Sequence, residues 1–177
     1  NSDAFLGHWI VEAMKRGSEL VAIDPQLTWI ASKSKYWLRL RPGTDAALAL
    51  GMMNVIVNEG LYDHEFVDKW CYGFEELSER VQEYPVDKVA EITWVSPEQI
   101  QRAARLLANS KPCAMQWGLA VDMVREALPA GQAIVGLFQP ATSISPEGTS
   151  SPSSSSPIPA AGVASSSATS RRPSASA

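Results

Sequence analysis

ELVAIDPQLTWIASKSKYWLRLRPGTD, residues 19–45, holds two short apolar runs that each close on a turn carrying a carboxylate. Leu20, Val21, Ala22 and Ile23 run into Asp24 and Pro25, and residues 36–40 run into Arg41, Pro42, Gly43, Thr44 and Asp45. Runs this short and this apolar fit strands buried on both faces of a parallel sheet. In doubly wound sheets ligands sit beyond the carboxyl ends of the strands, which is where Asp24 and Asp45 would stand. The stretch therefore predicts an α/β fold with half of a nucleotide site.

Upstream, residues 4–16 read as an amphipathic helix, with Phe5, Trp9, Ile10, Ala13 and Met14 on one side and Gly17 as its stop. A helix, a strand and an acid at the strand's end form the second half of a βαβ nucleotide-binding unit, whose acid accepts hydrogen bonds from ribose hydroxyls. The first strand and the phosphate turn would then precede Asn1, and no GxGxxG occurs in the sequence. Residues 27–34 read as a short helix or an irregular turn whose Thr28, Ser32 and Ser34 hydroxyls would lie near the crevice. A helix over 46–58, capped by Gly60, is apolar on nearly every face and so should be buried on more than one side.

Gly43, Thr44 and Asp45 carry two readings. One is a tight turn, an N-cap and a first-turn acid, together contributing about 1 kcal/mol to the helix. The other is chemical: guanine offers two adjacent N–H donors, and a carboxylate offers two acceptors at matching separation. Asp24 divides in the same way, as a turn residue before Pro25 or as a ribose acceptor.

Residues 61–92 read as acidic helices, the first capped by Asp63 and a later one started by Pro85. Ser96, Pro97 and Gln99 supply a capping box for a helix ending near Asn109. Glu75, Glu76, Glu79, Glu83 and Glu91 fit solvated faces, and no residue is singled out as catalytic. A third short strand, 113–117, ends at Trp117 and Gly118 and should face the same crevice; an apolar helix follows over 130–138. Trp117 reads as core or, alternatively, as a ligand contact. Cys71 and Cys113 have no ligand-spaced neighbours and read as buried thiols, while His8 and His64 stand alone, so no metal site is expected.

Nineteen acids against fifteen bases give a formal charge of -4 without a basic cluster, which argues against a nucleic-acid partner. The longest apolar stretch, 46–57, is interrupted by Gly51 and Asn54 and falls short of the roughly 20 residues a membrane span needs, so direct membrane insertion is not expected. A start at Asn1 with no Met or leader predicts either a removed start or a piece of a longer chain, and the compartment is not encoded in these residues.

At Gln139 the composition changes. Residues 139–177 contain fourteen Ser and six Pro but none of the six Trp, too little apolar surface to offset the entropy of ordering. The expected organisation is therefore a domain over 1–138 and a disordered tail over 139–177. A Ser/Pro linker or stalk would read the same way, but so abrupt a change makes a frameshift at about Gln139 the expected cause. Shifted by one base, the codons here allow Ala-Gly-Asn-Ile-Asp-Ile-Pro-Gly-Gly, a natural continuation of a helix into a turn.

AIDPQLT, RLRPGTDAALALGMMNVIVNEGLYDHEFVDKW, GFEEL and KPCAMQWG together resemble the interior of a molybdopterin-dependent oxidoreductase of the dimethyl sulfoxide reductase family, over residues 1–138 and most specifically through PGTDAAL. The resemblance implies a partial Rossmann-like three-layer domain, with a short parallel sheet and many helices, that grips the guanosine end of one molybdopterin guanine dinucleotide in a molybdenum or tungsten enzyme. Asp24 and Pro25 would lie near the ribose and Gly43, Thr44 and Asp45 at guanine. Trp117 and Gly118 would lie near the pterin side, and Asn1 matches the Asn of an earlier cofactor turn. Gln26 stands where Arg is usual, which removes a cation near phosphate. The metal ligand, an N-terminal iron–sulfur cluster and a C-terminal pterin domain would belong to the parent subunit, with electron-transfer subunits as further partners. The chain alone would then be inactive. A stand-alone nucleotide-binding or partner-binding module with a disordered tail is the alternative.

Overall fold

A computed structural model describes residues 4–123, 127–142 and 161–165. Among these, helix α1 (Ala4–Lys15) leads to strand β1 (Glu19–Ile23), then α2 (Trp29–Lys33), β2 (Tyr36–Leu38) and α3 (Asp45–Asn58). Helices α4 (His64–Trp70), α5 (Phe74–Gln82), α6 (Val86–Thr93) and α7 (Pro97–Asn109) precede β3 (Cys113–Trp117), α8 (Leu119–Asp122), α9 (Ala127–Thr142) and β4 (Ala161–Ser165). The strands form one parallel sheet in the order β2-β1-β4-β3. A parallel sheet joined by helices is the α/β class that the two apolar runs announce.

The helix stops are chemical. After α1, Gly17 takes φ 93° while the Gly17 and Ser18 N–H groups donate to Met14 and Ala13 carbonyls, a Schellman stop. Gly60, at φ 63°, ends α3 in the same way, with Leu61 N–H reaching the Ile56 carbonyl. Thr28, Asp63 and Ser96 cap α2, α4 and α7 by accepting from the N–H of Ala31, Phe66 and Gln99. At Ser96 the hydroxyl half of the expected capping box forms, and the Gln99 side-chain amide donates to the Trp37 carbonyl at 3.4 Å, tying α7 to β2.

Helix α3 is the centre of the core. Leu48, Ala49, Gly51, Met52, Met53, Asn54, Val55 and Ile56 are all buried, and α3 packs on α5, α6, α7 and α9. At Gly51 the fit leaves no room for a methyl: a Cβ there would stand 2.8 Å from a Val89 methyl of α6. Asn54, buried with this cluster, donates to the Val81 carbonyl at 2.9 Å and accepts from the Asn58 amide at 3.1 Å. Its polarity is thereby satisfied inside the core.

Several expectations are corrected. Trp9, assigned to the buried side of α1, is 54 % exposed, and no described side chain of α1 is fully buried. β2 ends at Leu38 rather than residue 40, although Leu40 remains buried. Cys71 and Cys113 are half-buried rather than buried. The helix expected over 130–138 begins at Ala127 and passes Gln139 to reach Thr142, and residues 161–165 form β4 between β1 and β3. Those two segments depart from the disorder expected over 139–177: AGVAS has open edges on both neighbouring strands and completes their hydrogen-bond ladders. The remainder of that expectation, over 143–160 and 166–177, and Asn1 lie outside the described residues.

Candidate functional site at the carboxyl ends of the strands

Asp24 follows directly on β1. Its N–H donates to the Leu38 carbonyl at 3.2 Å, and its own carbonyl accepts from the Trp37 indole at 2.9 Å, so β2 holds its backbone from both sides. One carboxylate oxygen, Oδ1, accepts from Gln26 N–H at 2.8 Å, closing an Asx turn through Pro25. The other, Oδ2, is buried and has no hydrogen-bond partner among the described residues, while Asp24 as a whole is 1 % exposed. A buried acceptor left unmet costs about 1–3 kcal/mol, so this oxygen marks a position suited to a donor from outside the chain.

The second turn is built on α6. Arg41 N–H donates to the Thr93 carbonyl at 2.8 Å, and the Arg41 guanidinium lies over the Trp94 ring at 5.5 Å. Thr44 returns both its N–H, at 3.2 Å, and its hydroxyl, at 2.6 Å, to the Arg41 carbonyl. Gly43 between them takes φ 81°, a left-handed conformation that an L side chain strains to adopt. Thr44 occupies the N-cap position of α3 but makes no side-chain cap bond, because its hydroxyl is committed to this turn. The simple N-cap reading of Thr44 is thereby corrected, whereas Asp45 does stand in the first turn of α3.

Asp45 lines a largely apolar cavity of about 40 Å³, whose walls include Ile23 from β1, Met52 from α3, Gln116 and Trp117 from β3 and Phe138 from α9. Burial pushes the Asp45 carboxyl above its ordinary pKa of 3.8, partly opposed by a backbone hydrogen bond that favours the charged form. Trp117 is 36 % exposed, and its indole donates to Asp122 of α8 at 3.3 Å. Gly118 joins β3 to α8, its carbonyl accepting from Val121 N–H.

The cavity thus gathers Asp45 and Trp117, with Asp24 one residue beyond the Ile23 wall. Pro25, Gly43, Thr44 and Gly118 are not among its walls; they belong to the turns that present the acids and the tryptophan. Sequence reasoning missed Gln116, Met115 and Ile134 as lining residues. The end of an apolar strand pointed to the first two, and the apolar run after residue 127 to the third. Among the described residues no group of three or more His, Cys, Asp and Glu could hold a metal ion, and no helix is long and apolar enough to cross a membrane. Burial raises the Cys113 thiol to about 11, so at neutral pH it is protonated.

Known proteins share this architecture. The molybdopterin oxidoreductase family model matches residues 4–168. Acetylene hydratase of Syntrophotalea acetylenica is 52% identical over 132 residues, covering 71% of this chain and 18% of that protein. Formate dehydrogenase H of Escherichia coli strain K12 is 30% identical over 137 residues, covering 77% of this chain and 19% of the relative. The solved structure of acetylene hydratase from Pelobacter acetylenicus superposes with a TM-score of 0.75 at 47% identity, over 77% of this chain and 19% of that one. The chain spans about a fifth of the length of these relatives. A family match running through both acid-bearing turns, on a backbone shared with a solved relative, establishes that the chain belongs to the molybdopterin oxidoreductases of the dimethyl sulfoxide reductase family.

Proposed function

We propose that this chain is the part of a larger molybdenum or tungsten oxidoreductase subunit that holds the guanosine end of one molybdopterin guanine dinucleotide. The observation that carries the reading is the unmet Oδ2 of Asp24, a buried acceptor at the end of a parallel strand, where a ribose hydroxyl would supply the missing donor. Asp45 suits guanine in kind, since an ionised carboxylate accepts two N–H groups. The cavity of about 40 Å³ has space for a water or two, so a purine enters only as the walls around Trp117 and Phe138 give way. Pro25, Gly43 and Thr44 fix the two turns, and Trp117 with Gly118 borders the opposite side.

The bound group would supply a metal centre for oxygen-atom or electron-pair transfer or, in a hydratase, for addition of water. This chain's residues would orient its nucleotide end. The remaining domains of the parent subunit, an iron–sulfur cluster and electron-transfer subunits are the partners this reading requires. The short share of each relative that the chain covers supports it. The composition change at Gln139 supports a shift of reading frame there, which sequencing the DNA through codons 130 to 177 tests. A shifted frame that stays open beyond Ala-Gly-Asn-Ile-Asp upholds it, and a confirmed Ser/Pro frame rejects it.

Calorimetric titration of the chain with GDP and ADP at low salt tests the site. The expected result is binding of GDP at least tenfold tighter than ADP, with that preference lost in Asp45→Asn and affinity for both lost in Asp24→Ala. Equal binding of the two nucleotides, or none, overturns the assignment.

A further inference from the structure

We propose that Trp94 is a positioning residue for the turn that presents Asp45: its ring holds the Arg41 guanidinium at the end of α6 and thereby fixes the turn from Arg41 to Thr44. Its consequence for base preference rests on the nucleotide reading of the site, whereas its hold on the turn does not. Trp94 follows α6 and takes φ 66°, the one non-glycine residue at positive φ among those described. That backbone region suits glycine and strains a bulky side chain, and residues held there cluster at ligand sites and hinges. The kink itself has a local use. Trp94 N–H closes α6 on the Ala90 carbonyl at 2.9 Å, and the chain passes at once into buried Val95. Glycine would make the same kink without strain. Burial does not account for the indole either, because Trp94 is 71 % exposed. What the side chain does is meet Arg41, whose guanidinium lies 5.5 Å from the ring centre, within reach of the ring's quadrupole.

The turn hangs on Arg41. Its N–H donates to the Thr93 carbonyl at 2.8 Å, and its own carbonyl accepts both the N–H and the hydroxyl of Thr44, the residue before Asp45. Thr93 is a firm support. It is fully buried, and its hydroxyl donates to the Val89 carbonyl at 2.8 Å and accepts from Val95 N–H at 3.3 Å. Arg41 is thus tied to the end of α6 twice, by its backbone to Thr93 and by its side chain to Trp94. Two ties to one support limit how far the turn can swing, which keeps Asp45 at one angle to the cavity. Trp94 is not among the cavity walls, so it acts through Arg41.

Trp94→Gly removes the ring and keeps the kink, while Trp94→Phe keeps a ring for the guanidinium. Amide hydrogen exchange is followed at Arg41 and Thr44, whose N–H groups make the bonds of the turn, beside urea unfolding and titration of the full chain with GDP and ADP. In Trp94→Gly the two amides should exchange about threefold faster, the factor that an exposed cation–π contact supplies. The urea midpoint should be no lower than that of the native chain, because glycine takes this φ freely. The preference for GDP over ADP should fall by about the same factor of three. Trp94→Phe should restore both the exchange rates and the preference. Unchanged exchange at the two amides, a urea midpoint that falls with it, a native GDP preference that Trp94→Gly leaves intact, or no rescue by Phe overturns the proposal. Should the native chain itself show no preference for GDP, the nucleotide reading fails, and exchange at Arg41 and Thr44 with its rescue by Phe decides whether Trp94 holds the turn.

Discussion

At Gly51 of α3 the chain is packed so closely that a single methyl has no room, while at the carboxyl end of the sheet a cavity of about 40 Å³ stands between β1, β3, α3 and α9. Both regions are internal, and both join secondary elements far apart in sequence. They differ in what fills them. The helix carries Leu48, Met52, Met53, Val55 and Ile56 against α5, α6, α7 and α9. The sheet is held together by backbone pairing, with β4 laddered to β1 and β3. Close packing fixes one arrangement, whereas hydrogen bonds alone serve any strand equally well. The close-packed region is then a scaffold, and the cavity at the sheet's carboxyl end is where space is left beside it.

Substitutions can break this contrast, the largest at Gly51. Gly51→Val forces side-chain volume into the space held by Val89 and should destabilise the chain by about 2–3 kcal/mol in urea unfolding. Combining it with Val89→Ala should return a good part of that loss, because the two sites share one volume. If Gly51→Val is neutral, the scaffold is no tighter than the sheet. Next comes Asn54→Ala, which removes the side-chain bonds to the Val81 carbonyl and the Asn58 amide and should cost about 1 kcal/mol, since the carbonyl keeps the Tyr84 N–H and Asn58 is exposed.

A smaller and pH-dependent effect sits at the cavity. Burial raises the Asp45 pKa, so the folded state binds that proton more tightly than the unfolded chain does. Asp45 therefore favours folding in acid, and that contribution is lost as pH rises from about its ordinary 3.8 through the folded value. Asp45→Asn should be more stable than the native chain at pH 7 and no more stable at pH 3, as read from melting curves at the two pH values. The reverse order would place Asp45 in a solvated or cation-paired environment. The smallest effect is expected outside both regions, at the ion pair that Arg105 makes with both carboxylate oxygens of Glu59 at 2.7 and 2.9 Å. It is exposed, and any stability difference of Arg105→Gln should vanish near 1 M salt.

Much of the helical framework was legible in local chemistry. Gly17 and Gly60 end helices, and Thr28, Asp63 and Ser96 cap them, through bonds that reach no more than a few residues along the chain. The near-continuous apolar pattern of 46–58 announced a helix buried on several sides, as α3 is. Trp9 was misread because an apolar stripe shows which side of a helix could be buried, not how much of it the fold covers. Thr44 was misread as a simple cap because its hydroxyl had a nearer acceptor, the Arg41 carbonyl, in a turn shaped by Gly43.

By itself the sequence determined most of the helices and their stops, the start of the sheet and the two carboxylates in the turns after its strands, since each follows from contacts within a few residues. Tertiary structure decided the rest: that Oδ2 of Asp24 is buried without a donor, that Asp45 and Trp117 share one cavity, and that residues 161–165 lie between β1 and β3. Burial, cavities and strand order depend on segments tens of residues apart meeting in space, and no local pattern encodes which of them will meet.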